Sequence, residues 1–210
     1  MPVVPAHGDP PAPVAIRAAA DALGGGDIVG LPTDTIYGLA ADPFHTGASD
    51  RLFRVKGRPR SVELPVLVAD ADQAMALCAS VPPSALRLME RYWPGPLTLV
   101  LPRRPGLAAD LGEEDATIGI RCPAHPVPLA VCRAVGPIAT TSANRHGEPP
   151  FTTAQDLAAH MGGEVAIVLD AGRCAGLPST VVDCTGDTPR VLREGRVPGP
   201  EVVVVASGDA

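Results

Sequence analysis

LPTDTIYGLAADPFHTGASDRLFRVKGRPRSVELPVLV, residues 31–68, sets an apolar strand end, a hydroxyl-rich turn, a helix and a dense cationic segment within one short reach of chain. Arg51, Arg54, Lys56, Arg58 and Arg60 all fall between positions 51 and 60 of a protein whose formal net charge is -6. Such a local reversal of sign calls for an anionic guest or some other account. Lys56 is the sole lysine among 17 basic residues. Asn144, the sole asparagine, is equally solitary and sits in a second polar stretch, TTSAN, at 140–144.

Outward from that stretch, composition narrows the class. A chain of 210 residues, 46% hydrophobic and 19% charged, is globular and long enough to bury a sizeable core. Aromatics are scarce at 3%, so aliphatic residues must fill that core. The five cysteines include no CxxC pair, which points to reduced, mostly buried thiols and away from zinc. No apolar run is long enough to span a bilayer, and the N-terminus lacks the basic and apolar regions of a secretory signal. Cytoplasmic residence is the resulting expectation. Residues 1–11, rich in proline, read as a flexible lead-in to one domain over 12–210. A sequence pI near 5.3 disfavours broad nucleic-acid binding, leaving room for a local basic site.

Hydrophobic periodicity orders the rest. Pro13 opens a helix that Gly24, Gly25 and Gly26 stop, a strand follows at 28–31, and Pro32 ends it at Thr33-Asp34-Thr35. A helix from about 46 or 49 is closed by Gly57 and Pro59, so Lys56 and Arg58 emerge at its end. Strands are predicted at 65–68, 97–101, 117–122, 138–141, 165–169, 180–183 and 202–205. Helices are predicted at 72–80, 83–92 and 127–134, and a fourth to about 161 behind the capping spacing of Thr153 and Asp156. The alternation specifies an α/β layer structure.

Several polar groups are candidates for chemistry. Lys56 and Arg58 could bracket a polyphosphate, one as a compact charge and the other as a planar fork. The amide of Asn144 and the hydroxyls before it suit a phosphate, ribose or base edge. Thr33, Asp34, Thr35 and Tyr37 offer groups for a small polar substrate, although they also make a turn. Arg121 could hold a carboxylate or serve a structural ion pair; Ser179, Thr180 and Arg193 are open between the same two readings. No HExxH, GxSxG, GxGxxG or P-loop pattern is present, and Cys122 reads as a buried structural thiol.

Taken together, PTDTIYGL (32–39), KGRP (56–59), WPGPLTLVL (93–101), IGIRCP (118–123), TTSANRHG (140–147), STVVD (179–183) and LREG (192–195) resemble the YrdC family of threonylcarbamoyl-AMP synthases, in family order. The resemblance implies an α/β single domain, with a twisted, largely mixed sheet and flanking helices around a concave active site. It implies a nucleotidyltransferase that converts L-threonine, bicarbonate or CO2 and ATP, with Mg2+, to threonylcarbamoyl-AMP and pyrophosphate. That product feeds threonylcarbamoyladenosine formation at position 37 of tRNAs. By the same resemblance Lys56 and Arg58 are catalytic, and Lys56, Arg58, Thr117, Ser142, Asn144 and Arg193 bind ATP. Thr35, Arg121, Ser179 and Thr180 are assigned to threonine, and no protein metal ligands are assigned. Further partners implied are tRNA or double-stranded RNA and a threonylcarbamoyl transferase complex, with no membrane. The chain departs from the family pattern by about two extra residues between Lys56 and Pro65, by Ala69 where many members have histidine, and by Asp34 for the more usual glutamate. A YciO-type paralogue with another acceptor, or a noncatalytic RNA-binding module on the basic run, are the alternative readings.

Overall fold

The computed structural model describes residues 1–145 and 147–208, and within them the hydrophobic periods become ten strands and seven helices. In chain order these are β1 (Val3–Pro5), α1 (Pro13–Gly24), β2 (Val29–Leu31), β3 (Gly38–Ala41), α2 (Ala48–Lys56), β4 (Val66–Leu67), α3 (Ala71–Leu77), α4 (Pro83–Tyr92), β5 (Leu97–Pro102), β6 (Thr117–Arg121), α5 (Pro126–Val135), β7 (Ile138–Ser142), α6 (Ala154–Met161), β8 (Ile167–Asp170), β9 (Thr180–Asp183), β10 (Arg190–Arg193) and α7 (Gly199–Ser207). The strands form one mixed sheet, ordered β1-β8-β2-β3-β7-β4-β6-β5-β9-β10. Pairing is parallel at β1/β8, β2/β8, β4/β6 and β5/β9, and antiparallel at every other junction. This is the α/β layer structure that the alternation predicts, with the single domain, mixed sheet and flanking helices that the resemblance implies.

The sheet buries its two faces differently. On one, Leu52 of α2, Leu88 of α4, Leu157 of α6 and Val202 of α7 join Leu39, Val66, Leu99 and Ile120 in the larger core. On the other, Ala15, Ala19 and Leu23 of α1 and Val127 and Val131 of α5 cover Val29, Leu31, Ile138 and Leu169. Because strand side chains alternate faces, the next residues on this second face, beyond β7, are Gly119, Arg121, Thr98 and Val100. These line a cavity.

The end of α2 aims the basic run. Gly57 takes φ 65°, left-handed, and its N–H closes back on Arg54 O, so the chain turns off directly after Lys56. Thr153 caps α6 as its spacing predicts, accepting from Asp156 N at 3.2 Å.

Two expectations change. The lead-in at 1–11 is not loose: Val3–Pro5 pairs parallel with β8, Ala6 N donates to Asp170 O at 2.7 Å, and Ala6 is fully buried. Its prolines are tolerated because β1 is an edge strand. The strand expected at 202–205 is helix α7 instead. Val202 and Ala206, four apart, are buried, whereas Val203 and Val204 are 55% and 47% exposed, so packing overrides the β-propensity of four valines. Arg87 of α4 donates to Val205 O and Ala206 O and holds the last turn. Strands β3 and β10 had no counterpart in the sequence reading.

Candidate active site

The cavity measures about 510 Å³, within the ordinary range for ligand sites. Its walls come from the 33–38 turn, the segment 58–67, β5, β6, β7, the 176–179 loop and Arg193 of β10. Among the described residues three guanidiniums line it, those of Arg58, Arg121 and Arg193, against one carboxylate, Glu63. Thr35, Thr98, Thr140, Thr141, Ser142 and Ser179 also line it, among apolar residues that include Ile36, Pro65, Leu67, Val100 and Val181. The balance favours an anion with several acceptor oxygens.

At one end Arg121 is 6% exposed and its donors are partly committed. Nε donates to Gly95 O at 3.0 Å, Nη1 to Thr35 Oγ1 at 2.9 Å, and Nη2 to the Asp34 carboxylate. A guanidinium has five N–H groups, so each terminal nitrogen retains one. Burial depresses the Arg121 pKa, and Asp34 opposes that. The turn is braced from inside: Thr33 Oγ1 donates to Ile36 O at 2.7 Å and accepts from the N–H groups of Thr35 and Ile36. Tyr37 is fully buried and donates to Gly172 O at 2.8 Å, so it anchors the turn.

Across the cavity Ser142 ends β7, and behind it lies Lys56, 4% exposed. Lys56 Nζ donates to Ser142 O at 2.7 Å, to Ser142 Oγ at 2.9 Å and to Asn144 Oδ1. Asn144 in turn donates through Nδ2 to Glu148 O. The two solitary residues therefore meet, 88 positions apart in sequence. In this arrangement they brace the Ser142 wall, and all three N–H bonds of the ammonium are in use. Burial, then the charge of Arg58, pushes the Lys56 pKa down to about 8.

Arg58 lines the cavity and is held by Val62 O, which accepts from its Nε at 2.7 Å. Arg193 donates to Ser179 O at 2.8 Å, and Ser179 Oγ is 2.9 Å from Thr98 Oγ1. Thr117 stands beside Glu63, its hydroxyl 3.4 Å from Oε2. Of the residues singled out in sequence, Thr33, Thr35, Tyr37, Arg58, Arg121, Thr140, Thr141, Ser142, Ser179 and Arg193 line the cavity. Thr180 does not line the cavity: it is fully buried, donates to Val197 O at 2.6 Å and accepts from Val197 N, and so pins β9. His146, within the TTSANRHG stretch, lies outside the described residues. Sequence reasoning missed Glu63 and Thr98: Glu63 sits in an aperiodic segment, and nothing local separates Thr98 from any other strand threonine.

Other groups are not placed for chemistry. All five cysteines are free and buried, and burial pushes the Cys122 thiol up to about 11. Among the described residues no group of three or more His, Cys, Asp or Glu side chains could hold a metal.

The family Sua5_yciO_yrdC, described as "Telomere recombination", matches residues 21–195. The chain belongs to the Sua5/YciO/YrdC family. A Mycobacterium tuberculosis member, provisionally named threonylcarbamoyl-AMP synthase, is 42% identical over 198 residues, covering 93% of this chain and 90% of that one. The Bacillus subtilis threonylcarbamoyl-AMP synthase is 39% identical over 193 residues, covering 90% of this chain and 56% of its own. Among solved structures, Pyrococcus abyssi Sua5 complexed with L-threonine superposes with TM-score 0.91 at 35% identity, covering 98% of this chain and 61% of that one. Escherichia coli YciO gives TM-score 0.84 at 26% identity, covering 94% and 96%. This Sua5/YciO/YrdC chain thus spans nearly all of the mycobacterial and YciO proteins and less than two thirds of the Bacillus and Pyrococcus ones.

Proposed function

We propose that this Sua5/YciO/YrdC protein is an L-threonylcarbamoyladenylate synthase, a nucleotidyltransferase acting on L-threonine, bicarbonate or CO2, and ATP. The observation that carries the reading is one cavity with a carboxylate fork at one end, Arg121 with Thr35 and Asp34, and a hydroxyl-lined cationic wall of Arg58, Ser142 and Arg193 opposite. The free N–H on each Arg121 terminal nitrogen suits the threonine carboxylate bidentately. That grip leaves the amino group directed toward the phosphate wall. The amine captures CO2 to form a carbamate and releases a proton. A carbamate oxygen then attacks the α-phosphorus, and the bond to the β-phosphate oxygen breaks, expelling pyrophosphate. Charge builds on phosphate oxygens, where fixed guanidiniums and hydroxyls contribute most by being preorganised.

Mg2+ comes with ATP as part of the substrate: a single lining carboxylate leaves the ion its phosphate and water ligands. We place the activity in the cytoplasm, with the adenylate passing to a threonylcarbamoyl transferase that modifies tRNA. Two findings favour this over the alternatives. The match to threonine-bound Sua5 is nearer than that to YciO in identity and superposition. Against an RNA module, Arg51 pairs with Asp27, and Arg60 with Asp50 and Asp110, so much of the basic run is neutralised.

The test is pyrophosphate release from ATP with bicarbonate across a panel of amino acids. Release that depends on threonine is expected; release indifferent to threonine, or driven by another amino acid, overturns the assignment.

A further inference from the structure

Among the described residues Glu63 is the one carboxylate lining the cavity, and the reaction as derived does not use it. Its Oε1 is buried without any hydrogen-bond partner, and Oε2 has only the Thr117 hydroxyl at 3.4 Å. A buried acceptor left unmet is costly, and in a native protein it needs an explanation.

Its place along the cavity says which part of a ligand it meets. Thr117, beside Glu63, and Arg121 are four residues apart on β6, which is roughly 13 Å of strand. Glu63 is therefore at the end opposite the carboxylate fork. Arg58 stands next to Glu63, its guanidinium donating to Val62 O and Glu63 O. A carbamate formed on an amino acid held by Arg121 must meet the α-phosphate in the middle of the cavity. The rest of the nucleotide then continues toward Glu63. A carboxylate repels the β- and γ-phosphates, so the sugar, joined to the α-phosphate through one oxygen, is the part that fits.

Resting on the synthase reading, we propose that Glu63 reads the nucleotide's sugar, its carboxylate accepting hydrogen bonds from the ribose hydroxyls. A vicinal diol presents two O–H donors and a carboxylate two acceptor oxygens. Oε1, closed off in this structure, gains the partner it lacks once the carboxylate turns to the ribose. The pairing also fixes the direction of ATP, because the reverse orientation would bring phosphate against carboxylate. Burial, then the Glu114 charge, raises the Glu63 pKa, while Thr117, Arg103 and Arg58 counter the rise. Hydrogen bonds from a ligand would lower it again.

The experiment compares ATP, 2′-deoxy-ATP and 3′-deoxy-ATP as substrates in threonine-dependent pyrophosphate release, for the wild type, Glu63→Gln and Glu63→Ala. A hydrogen bond to a charged acceptor corresponds to roughly tenfold or more. The wild type should lose about that much kcat/KM on at least one deoxynucleotide. In Glu63→Ala the penalty should collapse, through a higher KM for ATP and little change for the deoxynucleotide; Glu63→Gln, which keeps one acceptor oxygen, should lie between. Each ratio is taken on one folded variant, so a loss of stability does not disturb it. A wild type indifferent to both deoxynucleotides, or a Glu63→Ala enzyme keeping the wild-type ratio, overturns the proposal. A wild type that releases no pyrophosphate from ATP fails the synthase reading instead.

Discussion

Arg121 and Asp34 show what one buried contact contributes. Their side chains are 8% and 10% exposed, so removing the acid strands a guanidinium charge away from water. Breaking such a pair costs about 3–5 kcal/mol. Asp34→Ala should lower unfolding free energy by about that amount in urea titrations and raise KM for threonine, since Arg121 loses its orientation. An unchanged midpoint would show that the pair contributes nothing. Lys56 supplies the pH signature. Its pKa is about 8 in the folded protein against 10.5 ordinarily, so kcat/KM for ATP should fall along an alkaline limb near pH 8. In kcat the limb should move higher, because bound phosphates favour the ammonium. Lys56→Arg, which does not titrate there, should lack the limb. For stability the sign is opposite: a depressed pKa contributes stability that is present above 10.5 and is lost as pH falls through about 8. Lys56 and Asn144 were legible as solitary residues, yet sequence could not show that they hold each other, because 88 positions separate them.

At the scale of elements, the active wall depends on how closely β10 approaches the loop before β9. A Cβ on Gly195 would come within 2.4 Å of Ser179 C, 2.5 Å of Thr180 N and 2.6 Å of Pro178 O, all backbone atoms that cannot rotate aside. Gly195→Ala should therefore push Ser179 and Arg193 apart, at about 1–3 kcal/mol in stability and with a disproportionate fall in adenylate formation. Thermal unfolding and pyrophosphate release on the same preparation check it; wild-type activity in a folded variant would mean the approach is not needed. Helices α1, α4 and α6 were readable from proline at the start or a capping threonine. Helix α7 was not, because valine propensity is local and the surface of α4 that Val202 packs beside is not.

For the whole molecule, the cavity joins segments from the 33–38 turn to β10, and a ligand there ties together strands that otherwise meet only through their neighbours. ATP at a hundred times its Kd should stabilise the fold by about 2.7 kcal/mol and raise Tm by roughly 5–10 °C. In Arg193→Ala most of that shift should vanish; a full shift would place the triphosphate away from β10. By itself, the sequence determined the α/β class, the placement of most helices and strands and the cationic and hydroxyl character of the site. These follow from periodicity, caps, turns and residue chemistry, all of which act over a few positions. Only the tertiary structure decided that Thr180 pins a strand, that Lys56 stands behind Ser142, and that Glu63 enters the cavity with an unmet oxygen. Those facts depend on which distant segments meet across the sheet, and on how burial then apportions hydrogen bonds and charge among them.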